Sequence, residues 1–236
     1  MNYPNDPLYL FDVDGTLTPA RQPMDPVFHD WFVEWANGRR VGLVSGSDWP
    51  KTLEQLGPVI PNLCEVVFSC SGNEVRRAGQ VVHKEEWELS TQQTDFLYDC
   101  LRRSNFPLRT GLHIEERTGS CNFSVVGRNA TFDQRRSYVE WDKKHGSRQL
   151  LRMRIMQAFP DLDAQIGGET GLDIFPVGKD KRQVVGMVEG PILFYGDQCG
   201  EGGNDASLAN AVDWFYHTKG PEDTMGSLGG VMPKVR

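Results

Sequence analysis

Short apolar runs alternate with helical patterns along the N-terminal third of the chain. The apolar runs predict buried strands at about 8–11, 40–45 and 65–69. Between them, apolar residues at helical spacing predict helices at 25–37 and 49–56. Strands and helices in this alternation imply a parallel sheet with right-handed crossovers.

Residues 83–176 show a different pattern. Strand-like runs lie there at about 110–117, 121–126 and 163–175, and helix-like stretches lie at about 91–104 and 131–158. This order predicts an antiparallel sheet with helices on one face. The α/β pattern resumes with a helix at 180–188 and a strand at 191–196, and a glycine-rich tail that is expected to fray begins at Gly226. The predicted fold class is therefore α/β: a doubly wound parallel-sheet core (1–82 and 177–236) with an inserted α+β cap domain (83–176).

Composition narrows the classes of function. The 236 residues can bury one large core or two modest ones, and the net charge of −7 argues against general binding to nucleic acid or anionic membranes. No apolar run approaches a membrane span, and the N-terminus lacks a signal sequence. The five scattered cysteines form neither a zinc pattern nor an obvious disulfide framework. We therefore expect a protein of the reducing cytoplasm, without nucleic-acid or membrane partners.

Two carboxylates, Asp12 and Asp14, follow the first predicted strand directly. If the strand geometry persists, both side chains project from one face; if the chain turns, the Asp14 carbonyl becomes available instead. Such oxygen donors suit Mg²⁺, and an aspartate can accept a phosphoryl group as a nucleophile. A solvated Asp-x-Asp-Gly turn is the alternative. The hydrophobic strand before these residues and Thr16 after them favour the chemical interpretation.

The segment after the second predicted strand is rich in hydroxyls. Ser45, Gly46 and Ser47 offer hydroxyl and backbone N–H groups at a helix start, where phosphate binds favourably. The alternative is an ordinary helix N-cap formed by Ser47 or Asp48.

Two later segments add a cation and further acids. Another helix start is surrounded by three cations, Lys179, Lys181 and Arg182. Composition alone does not show which of them neutralises the charge of a phosphate. Asp197 follows a buried strand directly, and Asp205 follows a glycine-rich loop. The four acidic residues thus complete a plausible oxygen cage for Mg²⁺, whereas Asp205 taken alone could belong to an ordinary loop.

Arginine is concentrated in the predicted cap: ten of the seventeen arginines lie between residues 102 and 154. In an acidic protein this concentration predicts an anion-binding site. A solvated helical face accounts for part of the set, namely Arg102, Arg103, Arg148, Arg152 and Arg154.

These segments, in their order, resemble the four signature motifs of the haloacid dehalogenase (HAD) superfamily of phosphotransferases. The chain is more closely similar to one family within it, the eukaryotic-type phosphomannomutases, from about Leu8 to Thr224. The matching segments are 11–21, 46–48, 167–168, 173–176, 180–182, 196–197, 202–205 and 221–224.

The resemblance implies a role for each matching residue. Asp12 corresponds to the phosphorylated nucleophile, Asp14 to the general acid/base and Lys181 to the motif lysine. The implied Mg²⁺ ligands are Asp12, the Asp14 carbonyl and Asp197, with Asp205 nearby. The implied substrate-binding residues are Arg21, Ser45, Gly46, Ser47, Arg117, Arg128, Arg135, Gly171 and Asp173. Among them, the three cap arginines correspond to ligands of the distal phosphate, Asp173 to a sugar-hydroxyl contact, and Gly171 stands where the family usually has a serine.

The implied reaction interconverts mannose 6-phosphate and mannose 1-phosphate, with Mg²⁺ as cofactor and a hexose 1,6-bisphosphate as activator, and supplies GDP-mannose synthesis. A HAD sugar phosphatase would use the same residues, and a catalytically silent regulatory subunit would keep only the fold. The resemblance also implies a homodimer through the cap. The apolar residues that could form its interface, or else the core of the cap, are Phe96, Leu97, Leu101 and Phe106.

Overall fold

The structure is a computed structural model that describes residues 6–230 of the chain. It divides into two compact units: the first runs to Lys84 and resumes at Lys179, and the second is Glu85–Gly178. Within the described residues, no helix is long and apolar enough to cross a membrane.

The structure contains strands and helices in both units. The strands are β1 (Leu8–Phe11), β2 (Val41–Val44), β3 (Val66–Ser69), β4 (Glu74–Arg77), β5 (Gln80–Lys84), β6 (Ile114–Arg117), β7 (Ser120–Ser124), β8 (Leu162–Gly167), β9 (Gly171–Pro176), β10 (Ile192–Gly196) and β11 (Trp214–His217). The α-helices are α1 (Pro26–Ala36), α2 (Trp49–Leu56), α3 (Val59–Leu63), α4 (Thr91–Arg103), α5 (Phe132–His145), α6 (Ser147–Ala158), α7 (Ala206–Ala209) and α8 (Pro221–Ser227). Short 3₁₀ helices span Cys70–Gly72 and Lys181–Met187.

The first unit contains a seven-stranded sheet in the order β11-β10-β1-β2-β3-β4-β5. The first five of these strands are parallel. The sequence pattern predicted this for β1, β2, β3 and β10, whereas β11 was missed. Phe11 at the end of β1 pairs with Leu43 of β2 on one side and Tyr195 of β10 on the other. The carboxyl ends of these three strands therefore meet at one edge of the sheet, where ligands gather in such folds.

Local signals set the first two helices. The Asp25 carboxylate accepts hydrogen bonds from Val27 and Phe28 at the start of α1. Asp48 caps α2, and Gly57 ends it with a φ of 65°, a conformation that favours glycine. The predicted helices at 25–37 and 49–56 are thus confirmed.

The sequence interpretation missed the hairpin β4–β5, which extends the sheet antiparallel to β3. All five residues of β5 are exposed. A strand without a buried face carries no alternation of apolar and polar residues, so the usual signal was absent.

The second unit is a four-stranded antiparallel sheet in the order β6-β7-β9-β8, with helices α4, α5 and α6. Two boundaries differ from the prediction. The run at 163–175 is not one strand but the hairpin β8–β9, and the stretch at 131–158 is two helices separated at Gly146, whose φ of 62° interrupts the helix. The helix predicted at 180–188 is a 3₁₀ helix.

The apolar residues that we named for a possible cap interface belong to the core of the second unit. Leu97, Leu101 and Phe106 are buried there, and the ring of Phe96 packs edge-on against Phe159 with centroids 5.3 Å apart. The core interpretation therefore explains them. The tail predicted from Gly226 is helical as far as Ser227, and residues 231–236 lie outside the described part of the chain.

Candidate active site

Three carboxylates converge at the carboxyl edge of the parallel sheet. Asp12 directly follows β1, Asp197 directly follows β10, and Asp205 immediately precedes α7. One oxygen from each lies within 4.8 Å of the others. Asp12 and Asp205 are buried, and Asp197 is half-buried. Parallel pairing of β1 with β10 brings together acids that are 185 residues apart in sequence.

A single buried lysine bridges two of these acids. Lys181 is 2% exposed, and its ammonium donates hydrogen bonds of 2.6 Å to Oδ1 of both Asp12 and Asp205. It is the first residue of a 3₁₀ helix that Asp180 caps by accepting the backbone N–H of Arg182. The side chain of Arg182 is exposed. Composition did not show which of the three cations neutralises a phosphate. In the structure, Lys181 contacts the carboxylates.

The charges in this cluster influence one another strongly. Burial raises the pKa of Asp12 well above its ordinary value, even though Lys181 opposes the shift. Burial likewise raises the pKa of Asp197. For Lys181, burial acts against the charged form, but attraction to Asp12 and Asp205 outweighs it and raises the pKa of the ammonium. The cluster is therefore short of positive charge: three carboxylates face one ammonium, a balance of −2 when all are ionised.

This donor set fits a hard divalent cation. All three side chains offer oxygen, the ligand type that Mg²⁺ prefers, and a charge of +2 balances the deficit. Gly15 supports the same interpretation because a Cβ at this position would lie 2.3 Å from Oδ2 of Asp197. Its φ of 79° also favours glycine. The backbone of the first motif thus approaches the Asp197 carboxylate as closely as only a glycine permits.

The Asp14 carboxylate lies outside the acidic cluster. Its Oδ1 accepts the backbone N–H of Arg21 at 2.6 Å and the side-chain amide of Gln55 at 2.9 Å. Gln55 is 3% exposed and also donates to the hydroxyl of Thr18. The sequence interpretation missed Gln55, although a polar residue on the buried face of the amphipathic helix α2 was a usable signal. Arg21 itself is exposed and has a φ of 59°.

The loop after β2 contains the N-cap of α2 and, before it, a separate turn rich in hydroxyls. Asp48 is the N-cap of α2 and accepts the N–H of Lys51 at 3.0 Å. Before it, the hydroxyl of Ser45 accepts the N–H of Ser47 at 3.0 Å across Gly46. The cap and the hydroxyl-rich turn are therefore formed by different residues of one loop.

The second unit holds a separate polar cluster on its sheet. Arg117 donates to Glu115 at 2.7 Å and to Asp173 at 3.2 Å. Arg128 lies 3.0 Å from the Glu115 carboxylate and donates to the amide oxygen of Asn122 at 3.4 Å. That amide in turn donates to Asp173 at 2.6 Å. The structure thus unites three predicted substrate residues with Glu115 and Asn122, which the sequence interpretation missed.

Two details refine this cluster. Partial burial opposes ionisation of Glu115, but Arg117 and Arg128 outweigh it and hold the pKa of the carboxyl below its ordinary value. Arg135 lies apart on α5, where its Nε donates to the carbonyl of Ala130 at 3.4 Å. Among the described residues, Arg135 forms no ion pair with the acids of the cluster.

Comparison with solved structures identifies the fold. The chain superposes on a haloacid dehalogenase-like hydrolase from Bacteroides thetaiotaomicron with a TM-score of 0.58 and 14% identity, covering 95% of this chain and 98% of the other. It also superposes on a Plasmodium falciparum IMP-nucleotidase with a TM-score of 0.65 and 15% identity, covering 94% of this chain and 67% of that one. The predicted HAD fold is therefore confirmed.

Comparison of sequences identifies the family. The profile described as eukaryotic phosphomannomutase matches residues 28–233. The phosphomannomutase of Saccharomyces cerevisiae is 34% identical over 94% of this chain and 92% of its own length. That of Drosophila melanogaster is 32% identical over 95% of both chains. The chain therefore belongs to the eukaryotic phosphomannomutase family.

Proposed function

We propose that the protein is a phosphomannomutase that interconverts mannose 6-phosphate and mannose 1-phosphate. The observation that carries this proposal is the contact between Lys181 and two carboxylates at the carboxyl end of β1, in a chain of this family. A carboxylate held beside a fixed ammonium at a strand end suits phosphoryl transfer, which depends mainly on positioning and on neutralising charge.

Asp12 is the nucleophile in this proposal. A carboxylate oxygen forms a bond to one phosphorus of a hexose 1,6-bisphosphate, and the bond between that phosphorus and the sugar oxygen breaks, which leaves a hexose monophosphate. The electron pair leaves with the sugar oxygen, which takes a proton. Lys181 stabilises the ionised form of Asp12 that must attack and afterwards faces the phosphoryl group. In the reverse half-reaction, the free hydroxyl of a hexose monophosphate attacks the phosphorus of the aspartyl phosphate and loses its proton to Asp14, which forms the hexose 1,6-bisphosphate and frees the Asp12 carboxylate.

Asp14 is the group that supplies and removes the proton. Arg21 and Gln55 both donate to its Oδ1, so this oxygen is fixed in place. The other oxygen, Oδ2, then carries the proton to and from the sugar. Fixing one carboxylate oxygen orients the other, and orientation is a large part of general acid/base catalysis.

Asp12, Asp197 and Asp205 would hold Mg²⁺, with Asp14 contributing through its backbone carbonyl. When bound, the cation neutralises charge on the transferring phosphoryl group. Chelation by EDTA should therefore stop the reaction, and added Mg²⁺ should restore it. Full activity in excess EDTA, with no metal in the protein, would contradict this assignment.

The polar cluster of the second unit, which contains Arg117, Arg128 and Asp173, supports a mutase over a phosphatase. A mutase must retain a hexose 1,6-bisphosphate while the sugar turns over, so the phosphate that is not reacting needs its own anchor. Arg117 and Arg128 gather on one face of the cap beside Asp173, and guanidiniums are well suited to phosphate. Arg135 on α5 is the third arginine that we assign to this phosphate, and Asp173 would bind a sugar hydroxyl.

A product assay tests the proposal directly. The protein is incubated with mannose 1-phosphate and Mg²⁺, with and without a hexose 1,6-bisphosphate. Hexose 6-phosphate and free phosphate are then measured separately. A mutase yields hexose 6-phosphate and is activated by the bisphosphate. Free phosphate as the main product would indicate a sugar phosphatase, and neither product would indicate a silent subunit.

We further infer that the reaction takes place in the cytoplasm, where it would supply GDP-mannose synthesis. The five cysteines form no disulfide among the described residues, and thiols are typical of a reducing compartment. We also infer a homodimer through the cap, since large apolar side chains such as Leu112 and Phe132 are exposed on the second unit. Light scattering over a dilution series tests the dimer, which a mass near 26.6 kDa at micromolar concentration would exclude.

A further inference from the structure

Two glycines in the cap lie where side chains would collide with polar groups. Gly167 and Gly171 pair across β8 and β9. A Cβ on Gly171 would lie 2.5 Å from Nδ2 and 2.7 Å from Oδ1 of Asn122, and one on Gly167 would lie 2.0 Å from Oδ2 of Asp173. Neither glycine has a positive φ, so backbone conformation does not require them. A side chain at either position would displace the amide or the carboxylate that occupies this space.

The amide that fills the space at Gly171 is buried and forms hydrogen bonds at both its nitrogen and its oxygen. Asn122 is 3% exposed and lies directly opposite Asp173 in the register of β7 and β9. Its Nδ2 donates to Asp173 at 2.6 Å, and its Oδ1 accepts from Arg128 at 3.4 Å. These partners also define the orientation of the amide, because a carboxylate only accepts and a guanidinium only donates.

Asn122 therefore links two residues to which the proposed function gives different tasks. Asp173 would bind the sugar, and Arg128 would bind the distal phosphate. Both approach the same amide, one at each end. A change in the position of the amide would move the sugar contact and the phosphate contact together.

We propose that Asn122 is a positioning residue that sets the geometry of Asp173 and Arg128, and that residue 171 must be glycine to leave room for its amide. The inference rests on the proposed function of this cap site.

Four variants test the proposal. Asn122→Asp keeps the size of the side chain but sets a carboxylate against Asp173. Gly171→Ser pushes the amide out of its place. Asn122→Ala removes the amide, and the double variant Asn122→Ala/Gly171→Ser places the serine in the space that becomes free. The matched control is Asn105→Asp, the same chemical change at an exposed position of the same unit.

Two rates are measured for each variant: turnover of mannose 1-phosphate, and phosphorylation of the protein by acetyl phosphate, a donor without a sugar. Asn122→Asp and Gly171→Ser should raise the KM for the sugar phosphate and lower the ratio of the two rates by about tenfold or more, the loss expected for a hydrogen bond to a charged group. Because the two positions share one space, the double variant should be no worse than Asn122→Ala. The control should stay within about twofold of the wild type.

Thermal unfolding separates positioning from folding. If Asn122→Asp does not fold, Gly171→Ser and the double variant still decide the matter, since they add no charge. A Gly171→Ser protein with wild-type KM and turnover would overturn the inference, and so would equal losses in both rates. If the wild type releases free phosphate instead of hexose 6-phosphate, the proposed mutase function fails, while the ratio of the two rates still tests Asn122.

Discussion

Replacement of Lys181 by methionine should weaken the fold of the first unit as well as stop phosphoryl transfer. Methionine has a similar length but no charge. The change removes the ammonium that contacts Asp12 and Asp205, each at 2.6 Å. Three acids, one oxygen of each within 4.8 Å of the others, then remain without this counter-charge.

The size of the effect follows from the burial of the pair. Lys181 is 2% exposed and Asp205 is fully buried, so solvent screens their interaction poorly. Removing one partner of a buried ion pair typically costs about 3–5 kcal/mol, because the other charge stays buried. For a protein of this size that loss lowers the unfolding midpoint by roughly 6–20 °C.

The pH dependence has a definite sign. In the wild type the acids raise the pKa of Lys181 above its ordinary 10.5, so the ammonium stabilises the fold at all lower pH and is lost only as pH rises through the higher folded value. In the variant, burial and repulsion from the neighbouring carboxylates raise the pKa values of Asp12 and Asp197. They take up protons as the pH falls towards the ordinary value of 3.8, and the variant then recovers stability.

The assay is thermal unfolding in EDTA at about pH 8 and about pH 5. The control is Lys219→Met, which removes an exposed lysine of the same unit and should leave the midpoint within about 2 °C of the wild type. The difference in unfolding midpoint between Lys181→Met and the wild type should be large at the higher pH and smaller at the lower pH. Equal unfolding midpoints of the variant and the wild type at about pH 8, or a difference in midpoint that increases on acidification, would refute the reasoning.

Three further predictions concern the chemistry. Asp12→Asn should fold normally but show no aspartyl phosphate by mass spectrometry and no turnover, because an amide cannot be the nucleophile; turnover within about tenfold of the wild type would remove this role. Gln55→Leu should lower kcat by about tenfold to a hundredfold with little change in KM, because Asp14 loses a donor that orients it, and an unchanged kcat would rule this out. Arg128→Ala and Arg135→Ala should both raise the KM for hexose phosphate, and calorimetry should show that only Arg128→Ala also lowers stability, by about 1 kcal/mol, since only Arg128 pairs with Glu115. Unchanged KM values in both would show that the cap does not anchor the distal phosphate.

Local signals in the sequence were sufficient for the first half of the core. The strands β1, β2 and β3 are short apolar runs, and a sheet strand covered on both faces has to be apolar throughout. Helix α2 lies at 49–56 as predicted, because its cap at Asp48 and its stop at Gly57 are one-residue signals. The prediction was wrong where the local signal was missing or weak. The exposed strand β5 has no apolar pattern and was missed, and the break between α5 and α6 is marked by one glycine, Gly146, within a helical pattern.

The acids and the lysine were also visible in the sequence, because each follows a strand or begins a helix and stands in a recognisable motif. Their distances were not. The contacts from Lys181 to Asp12 and to Asp205 join residues that are 169 and 24 positions apart in the chain. Parallel pairing of β1 with β10 brings Asp12 and Asp197 to one edge, and tertiary packing places Lys181 and Asp205 beside them.

The residues that hold the candidate groups in place were decided by tertiary structure alone. Glu115 and Asn122 are polar residues inside strands, where the sequence gives no reason to distinguish them from solvated ones. Gln55 lies on the buried face of α2, which signals its burial but not its partner. Gln55 lies 41 residues from Asp14, and Asn122 lies 51 residues from Asp173. The physical reason is that a motif records which groups the chain carries, whereas the orientation of a buried polar group depends on the partners that packing brings within about 3 Å of it.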